Sequence, residues 1–164
     1  MRLTKAHGLL GTLVLVGGLA GGWYAAQWRV LGAIETVVVT DVGLPFAARL
    51  DTGATISSIN AVNIVIEGRR GDPRPSDKGK VVKFTLINGA GEQVQARSKV
   101  VQVRGIRTAD CRELRYHVYL SVTFRGKTKR VLMNLNDRSR SSAKLLLGRN
   151  WIAPEFAVSP RGEG

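Results

Sequence analysis

The sequence has a single cysteine, Cys111, and only two histidines among its 164 residues. One thiol excludes an intrachain disulfide and a zinc site built on several thiolates. His117 is the only histidine after the N-terminal segment, so any serine–histidine or cysteine–histidine mechanism would depend on it. It stands in LRYHVYLSVTF, which alternates as a β-strand does, and we interpret it as a strand residue rather than a catalyst.

Acidic side chains are also scarce, with 12 Asp and Glu against 25 Lys and Arg and a net charge of +13. Such an excess attracts nucleic acid, anionic lipid or acidic polypeptides, although a plain solvated basic surface has the same composition. The sequence contains no aromatic-interleaved RNA-binding motif and no helix-turn-helix pattern. We therefore expect no nucleic-acid partner.

The first 29 residues differ from the rest of the chain. After a short basic start, residues 8–28 carry no charge, and they are about long enough to cross a bilayer as a helix. Aromatic residues gather at the far end of this run, as they do at membrane interfaces. We predict an N-terminal transmembrane anchor over residues 1–29 in the inner (cytoplasmic) membrane, with residues 30–164 on the periplasmic side. A cleaved signal peptide with secretion to the periplasm is the alternative.

From Ile34 onward the apolar residues recur with a period of two, which is typical of strands. NGAG at residues 88–91 and RGKT at residues 125–128 each separate two strand-like runs and predict hairpins. Residues 68–80 form a charged loop rich in Gly and Pro, which we place outside the core. In this part of the chain, the only predicted helix is a short one after Gly148. The pattern predicts an all-β barrel or sandwich.

Two segments of this β domain carry a family resemblance. LDTGATISSINA occupies residues 50–61, and LMNLNDRSRSSAKLLLGRN occupies residues 132–150. Together they resemble the retropepsin-like aspartic peptidases, and in particular a bacterial branch known as ATP-dependent zinc proteases. The resemblance implies a single-lobe acid protease barrel with a short C-terminal helix over residues 30–164. It also implies a water-activating carboxylate in the first segment.

The resemblance assigns roles to individual residues. Asp51 is the catalytic acid, and the second segment packs beside its loop. Gly53 is expected to bring a backbone N–H to the carboxylate, Gly148 to pack against the Asp loop, and Arg149 to bind acidic or carbonyl groups. The site residues implied in this way are Asp51 for catalysis, Thr52, Gly53 and Ala54 for loop support, and Leu147, Gly148, Arg149 and Asn150 for packing.

The chain contains one Asp-Thr-Gly segment, whereas the aspartic mechanism uses two carboxyl groups that share a proton. The expected active form is therefore a homodimer in which Asp51 of each subunit meets at the two-fold axis. The expected substrate is a peptide or protein, and the basic surface suits an acidic one. The alternative is a catalytically silent, membrane-tethered β-barrel that serves as a binding or dimerisation module.

The zinc and ATP in the name of that branch have no support in these residues. The sequence has neither His-Glu-x-x-His nor Gly-x-x-x-x-Gly-Lys-Ser/Thr, so we expect no metal and no cofactor. The loop at residues 68–80 is either a flap over the cleft or a mobile surface hairpin. Arg138 and Arg140, which follow Asp137, are interpreted as solvated charges rather than substrate contacts.

Overall fold

The computed structural model describes residues 30–107 and 112–159 of the chain. The predicted membrane anchor over residues 8–28 and the cysteine, Cys111, lie outside these ranges. Within them, no helix has the length and apolar character that a membrane crossing requires.

The described residues form an all-β domain with one short helix and one 3-10 turn, as the periodicity predicts. Two strands, β1 and β11, pair in parallel as a small separate sheet, and the other nine belong to one larger sheet. The elements are β1 Val30–Leu31, β2 Ile34–Val39, β3 Leu44–Leu50, β4 Ser57–Ile66, the 3-10 turn Pro75–Asp77, β5 Val81–Ile87, β6 Gln93–Lys99, β7 Gln102–Arg107, β8 Arg112–Phe124, β9 Lys127–Asn136, β10 Leu145–Leu147, α1 Arg149–Ile152 and β11 Ala157–Val158.

The barrel closes through the short strand β10. It pairs in parallel with β3, with Leu147 opposite Leu50, and antiparallel with β4, with Leu145 opposite Ile59. The strand order β10-β3-β2-β8-β9-β4 therefore returns to β10 and makes a closed ring of six strands. Closure removes two sheet edges and fixes the end of β3 between its neighbours.

The alternation of apolar and polar residues sends one face of each strand into the barrel. Along β3, Leu44, Phe46, Ala48 and Leu50 are buried while the residues between them are exposed. Each fully buried large apolar side chain stabilises the fold by about 1.5–3 kcal/mol. Helix α1 covers one side of this core with Trp151, which is 1% exposed.

Both predicted hairpins are confirmed. Strands β5 and β6 pair around NGAG, and β8 and β9 pair around a turn at Arg125 and Gly126. Those two turn residues have φ of 47° and 77°, the left-handed backbone that two-residue hairpin turns of this type require. The interpretation of His117 as a strand residue is also confirmed, because it lies in β8 and is 1% exposed.

The prediction that residues 68–80 lie outside the core is wrong at one position. Asp77 has no exposed surface, although the rest of the loop is largely solvated. A buried carboxylate is costly unless donors surround it, and four side-chain and backbone donors do so here. Charge and Gly/Pro content alone gave no sign of this burial.

Candidate active site

Asp51 is the first residue after strand β3, at the end of the barrel where β10 also finishes. Its backbone N–H donates to the carbonyl oxygen of Leu147 at 2.9 Å, which continues the parallel pairing of the two strands by one residue. The closed barrel therefore fixes the Asp51 backbone, while the side chain stands half-buried in the following turn. A rigid backbone with an accessible carboxylate is the arrangement that a catalytic acid requires.

The turn after Asp51 folds back onto the carboxylate. The Oδ1 atom accepts hydrogen bonds from the Gly53 N–H at 2.8 Å and the Ala54 N–H at 3.1 Å. A Cβ atom at Gly53 would lie 3.1 Å from the same oxygen, which is tighter than ordinary contact. Glycine therefore permits the close approach of backbone and carboxylate that the resemblance implied, and the two N–H groups orient the carboxylate.

Arg149, the first residue of α1, holds this turn from behind. Its Nη1 donates to the carbonyl oxygens of Thr52 at 2.8 Å and Gly53 at 3.0 Å, and its Nη2 donates to Thr55 Oγ1 at 2.7 Å. Its backbone N–H donates to the Ala54 carbonyl at 2.8 Å. Arg149 therefore clamps the Asp51 turn through backbone carbonyl groups and one hydroxyl.

Gly148 lets the two segments come into contact. A Cβ atom at this position would lie 2.7 Å from the carbonyl oxygen of Ala54 and 3.0 Å from the carbonyl carbon of Ile56. Both atoms belong to backbone, so no side-chain rotation can relieve the overlap. Gly148 has φ of −89°, which any residue can adopt, and the requirement for glycine is therefore one of space.

A second hydrogen-bonded group joins the same segments through Asn150, which the resemblance placed beside the Asp loop, and Ser57, which sequence reasoning did not assign. Asn150 Oδ1 accepts from the N–H of Ser57 at 3.0 Å and from its hydroxyl at 2.8 Å, and Asn150 Nδ2 donates to the Leu132 carbonyl at 2.7 Å. The Ser57 hydroxyl in turn accepts from the Gly148 N–H at 3.0 Å. Ser57 lies six residues after Asp51 in the LDTGATISSINA segment, and this position in the segment was the sequence signal that could have identified it.

A cleft opens where β9 ends. β9 finishes at Asn136, which pairs with Asn60, whereas β4 continues to Ile66 and β8 extends back to Arg112. The space between these two strands has a volume of about 470 Å³. Its walls come from β4, β8, β9 and the loop before the 3-10 turn: Ile64, Gly71, Asp72, Pro73, Glu113, Leu114, Arg115, Tyr116 and Leu135.

The interpretation of Arg138 as a solvated charge is wrong, whereas Arg140 is exposed as expected. Arg138 is half-buried, and its Nε donates to the Ala143 carbonyl at 3.0 Å. Burial lowers the pKa of Arg138, the positive charges of Arg115 and Arg49 lower it further, and the negative charge of Asp51 opposes them. Arg138 therefore lies within electrostatic reach of both Asp51 and the cleft residue Arg115.

Metal-binding side chains do not gather anywhere in the described ranges: no three of His, Cys, Asp and Glu lie close enough there to hold an ion. Burial lowers the pKa of His117, as do the charges of Arg104 and Arg115, although a hydrogen bond with the Arg115 carbonyl opposes them. The candidate catalytic group at this end of the barrel is therefore the Asp51 carboxylate.

A closed six-strand barrel, in which an inserted strand and a short helix support an Asp-Thr-Gly-Ala turn, defines the single-lobe retropepsin-like class of fold. The family described as RimB-like, "Retropepsin-like aspartic endopeptidase RimB", matches residues 30–163 of this chain. The chain belongs to this family.

Curated relatives of the chain carry a different name. Proteins called "Probable alpha-L-glutamate ligase" from Parasynechococcus marenigrum and Shewanella pealeana are 28% and 30% identical to it, over 81% and 80% of this chain. The chain spans only 28% of the length of each of these relatives.

A solved structure shares the fold. A protein of unknown function from Legionella pneumophila is 28% identical, and the two superpose with a TM-score of 0.63 over 80% of this chain and 93% of the other. Because the function of that protein is unknown, this likeness supports the architecture and not an activity.

Proposed function

We propose that this protein is a membrane-anchored aspartic endopeptidase whose active form is a homodimer. The observation that carries the proposal is the Asp51 turn, in which two backbone N–H groups and the Arg149 clamp hold one accessible carboxylate at the open end of the barrel. Family membership supports the reaction class, which is hydrolysis of peptide bonds. The anchor over residues 8–28 remains a prediction from the sequence.

Two carboxyl groups account for the chemistry. When Asp51 of one subunit meets Asp51 of a second, the pair holds a single proton, because two like charges at about 3 Å cannot both be ionised. The ionised oxygen removes a proton from the attacking water while the protonated partner polarises the scissile carbonyl. The two carboxyls act as one unit, so neither subunit alone has a complete site.

The surface around Asp51 suits contact with a second copy of the chain. Thr52 and Gly53 are exposed beside it. Ile34, which pairs with Arg49 two residues before Asp51, has 65% of its surface exposed, and Val30 has 51%. Large apolar side chains next to a site that needs a partner favour burial in a two-fold interface. A shared membrane would also raise the effective concentration of the two subunits.

The cleft beyond β9 suits an extended peptide. β4 and β8 border a space into which β9 does not extend, and a substrate strand there would lie beside backbone groups of both. Arg115 in the cleft is paired with Glu113, so the preference for acidic side chains rests on Arg138, which lies within electrostatic reach of Asp51, and on the net charge of +13. The glutamate-ligase name of the longer relatives supports the same class of substrate.

A peptide pool tests the function. The soluble domain, residues 30–164, is incubated with a diverse pool between about pH 4 and 7, with and without EDTA, and cuts are read by mass spectrometry. We expect cuts that survive EDTA and that cluster near Asp and Glu, with the acidic preference weakening as salt screens the arginines. Cuts abolished by EDTA would contradict the aspartic mechanism. Folded dimers that make no cut would favour the binding module.

A further inference from the structure

The buried carboxylate of Asp77 joins the loop before it to the cleft strand β8. Arg69 Nε donates to Oδ1 at 3.2 Å, Arg69 Nη2 donates to Oδ2, and the Tyr116 hydroxyl donates to Oδ2 at 2.8 Å. Lys80 Nζ donates to Oδ1 at 3.0 Å, and the Arg74 N–H donates to Oδ2 at 3.0 Å. Both oxygens are thus fully engaged by donors from the loop and from β8.

The charges in this group are mutually stabilised. Burial by itself would raise the pKa of Asp77, but the hydrogen bonds from Arg69, Tyr116 and Lys80 outweigh it and hold the pKa well below its usual range. Burial, together with the hydrogen bond to the Asp77 carboxylate, raises the pKa of Tyr116 to about 12. At neutral pH the group therefore consists of an ionised carboxylate and a neutral phenol.

The Arg69 guanidinium also binds the backbone of the loop that lines the cleft. Arg69 Nη2 also donates to the Asp72 carbonyl at 2.8 Å, and Nη1 donates to the Arg70 carbonyl at 3.2 Å. Gly71 and Asp72 of the loop line the cleft, as does Tyr116 of β8. One buried carboxylate therefore connects, through a single arginine and a single phenol, to the loop and to the β8 side of the cleft.

We propose that Asp77 is a positioning residue for peptide binding, which holds the wall at residues 70–73 against β8 through Arg69 and Tyr116. This inference rests on the proposed function, because it takes the cleft beyond β9 as the place where substrate lies. Asp77 has no exposed surface and so acts through its partners rather than on the peptide itself. It also replaces both earlier interpretations of the loop, as a flap and as a mobile hairpin, with that of a fixed wall.

The test removes one hydroxyl and keeps the packing. Tyr116→Phe deletes the group that donates to Asp77 and accepts from Arg69 Nη2 at 3.1 Å. Arg69, Lys80 and the Arg74 N–H still satisfy the carboxylate, so the chain should fold. We expect KM for a cleaved peptide to rise about tenfold with kcat nearly unchanged, because substrate binding is affected and the chemistry at Asp51 is not. Tyr119→Phe, an exposed tyrosine on the same strand, is the matched control and should change neither.

A binding measurement separates this proposal from the function itself. The affinity for an acidic peptide from the pool, chosen by binding to the Asp51→Asn chain, is measured with and without Tyr116→Phe in that background, after circular dichroism has confirmed the fold. Weaker binding in the double variant supports the positioning role, whether or not the wild type cuts any peptide. A wild type that cuts nothing would contradict the peptidase proposal alone. Equal affinity with and without the hydroxyl overturns the positioning role whatever the activity, and so does a fall in kcat with KM unchanged.

Discussion

Asp51→Asn is expected to lower peptide cleavage by about 10³-fold or more while the fold and the dimer persist. The amide oxygen of Asn can still accept the N–H groups of Gly53 and Ala54, so the turn keeps its geometry. The amide cannot take a proton from water. Because both carboxyls of the dimer are replaced, no proton is shared between the two subunits. Cleavage of a peptide found in the pool experiment, followed at several pH values, gives the rate.

The control for this variant is another carboxylate of the same chain. Glu155→Gln changes the formal charge equally, and Glu155 is an exposed residue that lies 3.6 Å from Lys129 in a surface ion pair. Its cleavage rate should match that of the wild type, since such pairs contribute little. Sedimentation should show the same oligomer for all three proteins. A variant at Asp51 that cuts at the wild-type rate would remove the catalytic role of this residue.

Gly148→Ala is expected to lower the free energy of unfolding by about 3 kcal/mol and to remove most of the activity. The new methyl group would meet the Ala54 carbonyl oxygen at 2.7 Å and backbone atoms of Ile56 at 3.0 Å and 3.2 Å. Relief requires either the helix start or the Asp51 turn to shift, and the two are joined through Arg149. Urea denaturation measures the stability, and the peptide assay measures the activity.

Gly89→Ala is the matched control for that substitution. A Cβ atom at Gly89 would meet nothing within 4 Å, and the residue does not have the left-handed backbone of its neighbour Gly91. Its unfolding free energy should stay within about 0.5 kcal/mol of the wild type. If both glycine variants were equally stable, the close contact at Gly148 would not be what holds the Asp51 turn in place.

The secondary structure of this domain could be predicted from the sequence because it depends on local periodicity. The strands, both hairpins and the helix after Gly148 follow from alternation and from turn residues, whose physics extends over a few neighbours. The Asp51 turn and its contact with Gly148 followed from a pairing of two segments about 95 residues apart in the sequence. Periodicity alone would not have brought those segments together.

Other features depend on packing between distant elements. Asp77 is buried because Arg69 and Tyr116 meet it, and the second of these lies on a strand 39 residues later. Arg138 is half-buried because the chain after β9 turns back toward β10, where it contacts the Ala143 carbonyl. In both cases the local composition is that of a solvated loop, and only the tertiary structure changes the surroundings of the charge.

A mixed-subunit experiment tests the central claim, that each active site needs Asp51 from two chains. Wild-type and Asp51→Asn chains with different tags are co-expressed at several ratios, the fraction of each is quantified, and cleavage is measured at constant total protein. If both carboxyls are required and subunits pair at random, activity follows the square of the wild-type fraction and falls to about one quarter at equal amounts. Activity that falls in direct proportion, to about one half, would show that each chain works with its own Asp51, and activity of about three quarters would show that one Asp51 per dimer suffices. Either result would contradict the shared dyad.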